Sequence, residues 1–109
     1  MRERDLDRMF VAACKRRGIV TYKTSSVMRR GFADRTLFGP GPRMGFVELK
    51  GAGSKMTPAQ DKFNELAFDA RAFVAVLRAE KSRAETAAVI ERLLDRYMVY
   101  MIPHREVCL

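Results

Sequence analysis

Asp34, Glu48 and Lys50 are the residues of this chain whose types and spacing could do chemistry. Glu48 and Lys50 lie in Phe46-Val47-Glu48-Leu49-Lys50, a strand-like segment that follows the turn-forming Gly39-Pro40-Gly41-Pro42. Strand side chains alternate between faces, so Glu48 and Lys50 are expected on one face and Leu49 on the other. A carboxylate and an ammonium at the end of an apolar strand are costly to bury without partners. A divalent ion held by Glu48 and Asp34, with Lys50 beside an attacking water, would resolve that cost and give hydrolytic chemistry.

The hairpin register decides whether these groups can meet. With residues 39–43 as the loop, Phe38 faces Met44, Thr36 faces Phe46 and Asp34 faces Glu48, and residues directly opposite share a face. A loop one residue shorter would set Asp34 against Val47 and send it to the wrong side. The metal site therefore requires the five-residue loop, a common hairpin length, or a bulge that restores the phase.

The elements that must hold these residues follow from apolar spacing. Residues 3–17 read as a helix with Leu6, Met9, Phe10, Ala13 and Cys14 on one stripe, ended by Gly18 after a basic Lys15-Arg16-Arg17. Glu3 extends that stripe, either as a solvated helix end or as a group aimed into a site. Ile19 to Lys23 is strand-like, residues 24–30 form a polar basic loop, Gly31 opens the next strand, and that strand covers about Asp34 to Phe38.

After a flexible Gly51-Ala52-Gly53-Ser54-Lys55, Thr57-Pro58-Ala59-Gln60 is a strong helix start with a capping box. Phe63, Leu66, Ala67 and Ala70 form that helix's expected stripe. Gln60 either only caps the helix or also faces the site. Ala72 to Leu77 is a continuous apolar run, expected to be a central strand buried on both faces and parallel to the strand before the helix. Ser82-Arg83-Ala84-Glu85 reads as a second capping box, opening a helix with Ile90, Leu93, Leu94 and Tyr97 inward. The tail 98–109 has no assignment.

Composition bounds the answer. At 109 residues the chain is expected to form one domain, 1–109, burying about 65% of its unfolded surface. Hydrophobic residues at 48% and charged residues at 31% describe an ordinary globule. No apolar run approaches a membrane span, and the charged start lacks a signal peptide's apolar stretch. Cys14 and Cys108 make neither a disulfide framework nor a metal spacing, so an intracellular, reduced setting is expected.

The net charge of +8 is concentrated early: residues 1–30 hold nine Lys/Arg against three Asp/Glu, whereas residues 63–109 hold seven of each. Such asymmetry favours a polyanion, most simply nucleic acid, over a surface kept basic for solubility alone. His104 stands alone in the unassigned tail and is expected to take no catalytic part. The methionines read as core filler. Tyr22 and Phe32 could stack on bases, with core packing the simpler expectation.

The order helix, three strands, helix, strand, helix resembles the PD-(D/E)XK nuclease superfamily, and within it the VRR-NUC (virus-type replication-repair nuclease) family, in its compact standalone phage and bacterial form. The resemblance rests on Glu3, Gly31-Phe32-Ala33-Asp34, Phe46-Val47-Glu48-Leu49-Lys50 and Thr57-Pro58-Ala59-Gln60, and spans about residues 3–80. The proline that usually precedes the aspartate is Ala33 here.

The resemblance implies an α/β (α+β) restriction-endonuclease-like core with a small mixed sheet flanked by helices. It implies Mg²⁺ or Mn²⁺ bound by Asp34, Glu48 and the Leu49 backbone carbonyl, with Glu3 completing the shell directly, through water or beside a second ion. Lys50 would position the nucleophilic water and Gln60 would orient Lys50 or that water. Lys23, Arg29, Arg30, Lys55 and Lys62 are candidates for gripping phosphates. The implied activity is DNA endonuclease, on branched DNA such as four-way junctions, by a symmetric homodimer without membrane attachment or organic cofactor. The alternatives are a nuclease acting on flaps, nicks or RNA, and a module of this fold that binds nucleic acid without cutting it.

Overall fold

The computed structural model describes residues 1–26, 28 and 30–100. Arg29, His104, Cys108 and the tail from residue 101 lie outside the described residues. Seven elements follow the expected order: α1 (Glu3–Arg16), β1 (Val20–Lys23), β2 (Arg35–Phe38), β3 (Met44–Lys50), α2 (Pro58–Asp69), β4 (Phe73–Arg78) and α3 (Arg83–Val99). The strands form one mixed sheet in the order β1-β2-β3-β4. The first two neighbour pairs are antiparallel and β3 runs parallel to β4. A parallel pair needs a crossover, and α2 supplies it.

The hairpin register is the one the site requires. Phe38 pairs with Met44, Thr36 with Phe46 and Arg35 with Val47, so the next position sets Asp34 against Glu48. The Gly39 N–H closes the five-residue loop on the Arg43 carbonyl at 2.8 Å. β2 starts at Arg35, one residue later than expected, which leaves Asp34 at the mouth of the sheet rather than inside the ladder.

One face of the sheet carries Leu37, Val47, Leu49 and Leu77, and α1 and α3 close over it. Leu6, Phe10, Ala13 and Cys14 come from α1, and Ile90, Leu93, Leu94 and Tyr97 from α3, all buried. Each of the buried Leu, Ile, Val and Phe side chains contributes about 1.5–3 kcal/mol on burial. Two ion-paired ties fix α1. Arg35 donates to both Asp7 carboxylate oxygens at 2.8 Å. Arg17 pairs with Glu91 and, at 2.8 Å, with Asp95 of α3. The opposite face carries Thr36, Phe46, Glu48 and Lys50. There Phe63 of α2 packs on Phe46 and Phe32, with ring centroids 5.2 and 4.5 Å apart.

Several expectations are corrected. Among the described strands β4 lies at the edge rather than the centre; only Leu77 in it is buried, and Val76 is open to solvent. An apolar run reports burial by something, and here α2 and α3 cover parts of β4 where a neighbouring strand was expected. On α2, Phe63 and Ala67 face inward, but Leu66 and Ala70 are exposed, because a helix over a sheet edge presents only a narrow stripe to it. Ser82 caps α3 by accepting from the Glu85 N–H at 3.0 Å, yet Glu85 receives the Ser82 hydroxyl at 3.1 Å instead of a backbone N–H, so the second capping box is half formed. Met98 and Val99 belong to α3 rather than to the tail. Tyr22 is exposed rather than packed in the core, whereas Phe32 does pack.

Candidate active site

The strand end at Glu48 and Lys50 is buried although both groups are ionisable, with 2% and 6% of their surfaces exposed. What partners them comes from the first turn of α2. Thr57 caps that helix, with its Oγ1 accepting from the Gln60 N–H at 3.2 Å. Gln60 reaches back, and its Oε1 accepts from the Thr57 N–H at 2.9 Å and from Lys50 Nζ at 2.8 Å. Its Nε2 donates to Glu48 Oε1 at 2.9 Å. Lys50 Nζ stands 3.8 Å from that same oxygen. Gln60 therefore caps the helix and faces the site at once. With two N–H donors on its oxygen and a carboxylate on its nitrogen, the amide has one satisfied orientation.

Asp34 enters from the mouth of β2, accepting the Leu49 N–H on Oδ2 at 2.7 Å. In a strand the N–H and C=O of one residue point to the same side. The Leu49 carbonyl is thus directed to Asp34's side of the strand, next to where β2 has yet to begin. Glu48 lies within hydrogen-bonding reach of Asp34. Burial, that hydrogen bond and the Asp34 charge push the Glu48 carboxyl up to about 8, against the weaker opposite pull of Lys50. Two crowded carboxyls with one ammonium lack positive charge, and an added cation is the direct remedy. The donor set, carboxylate and carbonyl oxygens, suits a hard ion such as Mg²⁺ or Mn²⁺.

Beside Asp34 opens a cavity of about 320 Å³ lined by Glu3, Arg4, Asp7, Lys23, Asp34 and Leu49. Glu3 lies at its rim, exposed, with its carboxyl raised above the usual range first by desolvation and then by the Asp34 charge. It does not complete a three-acid cage: among the described residues no group of three or more His, Cys, Asp or Glu side chains is gathered tightly enough to hold an ion. The fit to a metal rests on Asp34, Glu48 and the Leu49 carbonyl.

Lys23 reaches the cavity wall, while Arg30, Lys55 and Lys62 are exposed and do not line it. Asp7 was missed by sequence reasoning. It lines the cavity and also anchors Arg35, and its place four residues after Glu3 puts both on one helical face, a signal that was available.

Gly31 fixes the approach of the 24–34 loop. Its φ is +89°, and a Cβ there would lie 2.8 Å from the Ala59 carbonyl oxygen, so the loop abuts the start of α2. Thr24 extends the contact, its hydroxyl donating to the Ala33 carbonyl at 2.8 Å beside Asp34. Loop, helix cap and strand end thus meet around one group of side chains.

No family model matches the chain, and no curated protein does. Among solved structures it is similar to one described as a VRR_NUC domain, with a TM-score of 0.71 and 22% identity, covering 87% of this chain and 96% of that one. At the level of fold, the resemblance read from the sequence is borne out.

Proposed function

We propose, from the premise of a VRR_NUC fold, that this protein is a metal-dependent nuclease that hydrolyses DNA phosphodiester bonds. The observation that carries this is the buried Glu48–Gln60–Lys50 cluster with Asp34 at its edge. Structural stability alone gives no reason to bury Glu48 beside a second, half-buried carboxyl where apolar residues of similar size would serve.

Asp34 and Glu48, with the Leu49 carbonyl, would hold Mg²⁺ or Mn²⁺. Bound there, such an ion supplies Lewis acidity toward the scissile phosphate and a more acidic water. Gln60 sets the Glu48 carboxylate with one hydrogen bond and holds the Lys50 ammonium with another. Lys50 then offers its remaining N–H donors where negative charge builds on the phosphoryl oxygens, and its charge costs no reorganisation at the moment of reaction. Glu3, across the cavity, would hold a water of such an ion by a hydrogen bond to its carboxylate. Lys23, Arg30, Lys55 and Lys62 supply phosphate contacts around the rim, and the concentration of positive charge in the first third of the chain favours that polyanion.

The substrate is branched DNA such as a four-way junction, cut by two copies related by a two-fold axis. A surface suited to pairing exists. Among the described residues β4 has one edge without a neighbouring strand, and two grooves of about 530 and 700 Å³ run along it, with Phe68 and Val76 exposed. Antiparallel pairing of two such edges would bring the Asp69 end of one copy to the Arg78 end of the other. The experiment is an assay of four-way junction, flap, duplex and single strand, each with Mg²⁺, Mn²⁺ or EDTA. Metal-dependent cutting with the junction preferred is expected. Binding without cutting under either metal would favour a non-cleaving nucleic-acid module instead.

A further inference from the structure

Three large apolar side chains stand in solvent on the outer half of the sheet: Val20, Tyr22 and Phe38, which are 51%, 59% and 42% exposed. Val20 pairs with Phe38 and Tyr22 with Thr36, and Thr36 pairs in turn with Phe46, so all share the face that carries Glu48 and Lys50. Tyr22 and Phe38 meet edge to face, with centroids 6.0 Å apart and planes at 71°. They form a preformed two-ring surface. Elsewhere on this face Phe46 is covered by Phe63, and Thr36 lies under the 24–34 loop, its hydroxyl donating to Thr24. The ring pair is left open.

Charge points to the occupant. Residues 15–43, which supply both strands and the loops at their ends, hold eight Lys/Arg and a single acid, Asp34. Arg30 is exposed in the loop that leads to Asp34, and Lys23, opposite Arg35, leaves the end of β1 from the reverse face. On this face β1 and β2 carry no acidic side chain. Rings in a segment where cations outnumber acids eight to one match nucleotides, whose bases stack while their phosphates meet the cations. A duplex hides its base faces, so the ligand must present unpaired bases. Two strand spacings across and two residues along separate Tyr22 from Glu48, roughly 12 Å between backbones. That is within a few nucleotides of a phosphate held at Glu48 and Lys50.

We propose that Tyr22, backed by Phe38, is a stacking platform for an unpaired base of the nucleic acid that enters the site. This rests on the nuclease function above and adds to it that a base at the substrate's branch point leaves its pair to meet the platform.

The chain has no tryptophan, so Tyr22→Trp places a single reporter on the platform. The full chain is titrated in EDTA, where no cutting intervenes, with a labelled oligothymidine and with a blunt duplex, following tryptophan emission and label anisotropy together. Emission is expected to quench as the single strand binds and to stay level with the duplex. Tyr22→Ala should weaken single-strand binding about ten-fold and Tyr22→Phe less than about two-fold. Flat emission while anisotropy rises, undiminished binding by Tyr22→Ala, or equal losses on single strand and duplex would each overturn the platform and leave the nuclease standing. Binding of neither nucleic acid would overturn both.

Discussion

Glu48 carries a cost in the metal-free protein that the proposed chemistry would remove. Its carboxyl titrates near 8 when folded and at the ordinary 4.5 when unfolded. Between those values the folded state holds a proton that the unfolded state has lost, so stability falls as pH rises through this window. The melting temperature of metal-free protein is therefore expected to drop from pH 5 to pH 8, and Glu48→Gln should flatten that drop. Mn²⁺ binding below pH 8 should release a proton from this pair, read by calorimetry in buffers of different ionisation enthalpy. A wild-type profile that rises across the window would contradict the crowding of Asp34 and Glu48. At this scale the sequence was informative: strand alternation alone aligned Glu48 with Lys50. The three bonds to Gln60 were only half legible, because a capping box explains that residue completely until the neighbouring strand is placed beside it.

Among the elements, the junction of the 24–34 loop with α2 determines whether the side chains stay assembled. Gly31→Ala meets both a left-handed backbone and the Ala59 carbonyl, and is expected to cost about 2 kcal/mol or more in chemical denaturation. Thr57→Ala should cost about 1 kcal/mol. Its activity should fall further than that loss of stability explains, because Gln60 then swings with a frayed helix start, while Thr57→Ser restores both. Equal activity in Thr57→Ala and wild type would detach the cap from the site. The hairpin register was legible because glycines and prolines bound a loop of definite length, and a one-residue slip would have separated Asp34 from Glu48. The place of β4 was not. Ala72 to Leu77 announces burial, but whether strands or helices provide it depends on contacts that no local pattern encodes. Leu66 was equally opaque, since an apolar residue on a helix stripe reads as core until its neighbours run out.

For the molecule as a whole, charge and the open sheet edge make separate demands. Positive charge crowded into the first third of the chain implies affinity for DNA that falls steeply with salt, and Lys23→Ala or Arg30→Ala should each lower the slope of log affinity against log salt by about one. Val76→Glu and Phe68→Glu, at the β4 edge, are expected to give a monomer in sedimentation while leaving helix content unchanged. A wild-type chain that is monomeric at high concentration would remove the paired-edge arrangement without touching the site. No helix among the described residues is long and apolar enough to cross a membrane. The central claim is that Asp34, Glu48 and Lys50 act together on a phosphodiester, and single-turnover cutting of a labelled junction in Mg²⁺ by wild type, Glu48→Gln and Lys50→Ala tests it most directly. Cutting by wild type that EDTA stops, with both variants still binding but slowed at least about 100-fold, is the expected result; a Glu48→Gln protein that cuts as fast as wild type would contradict it.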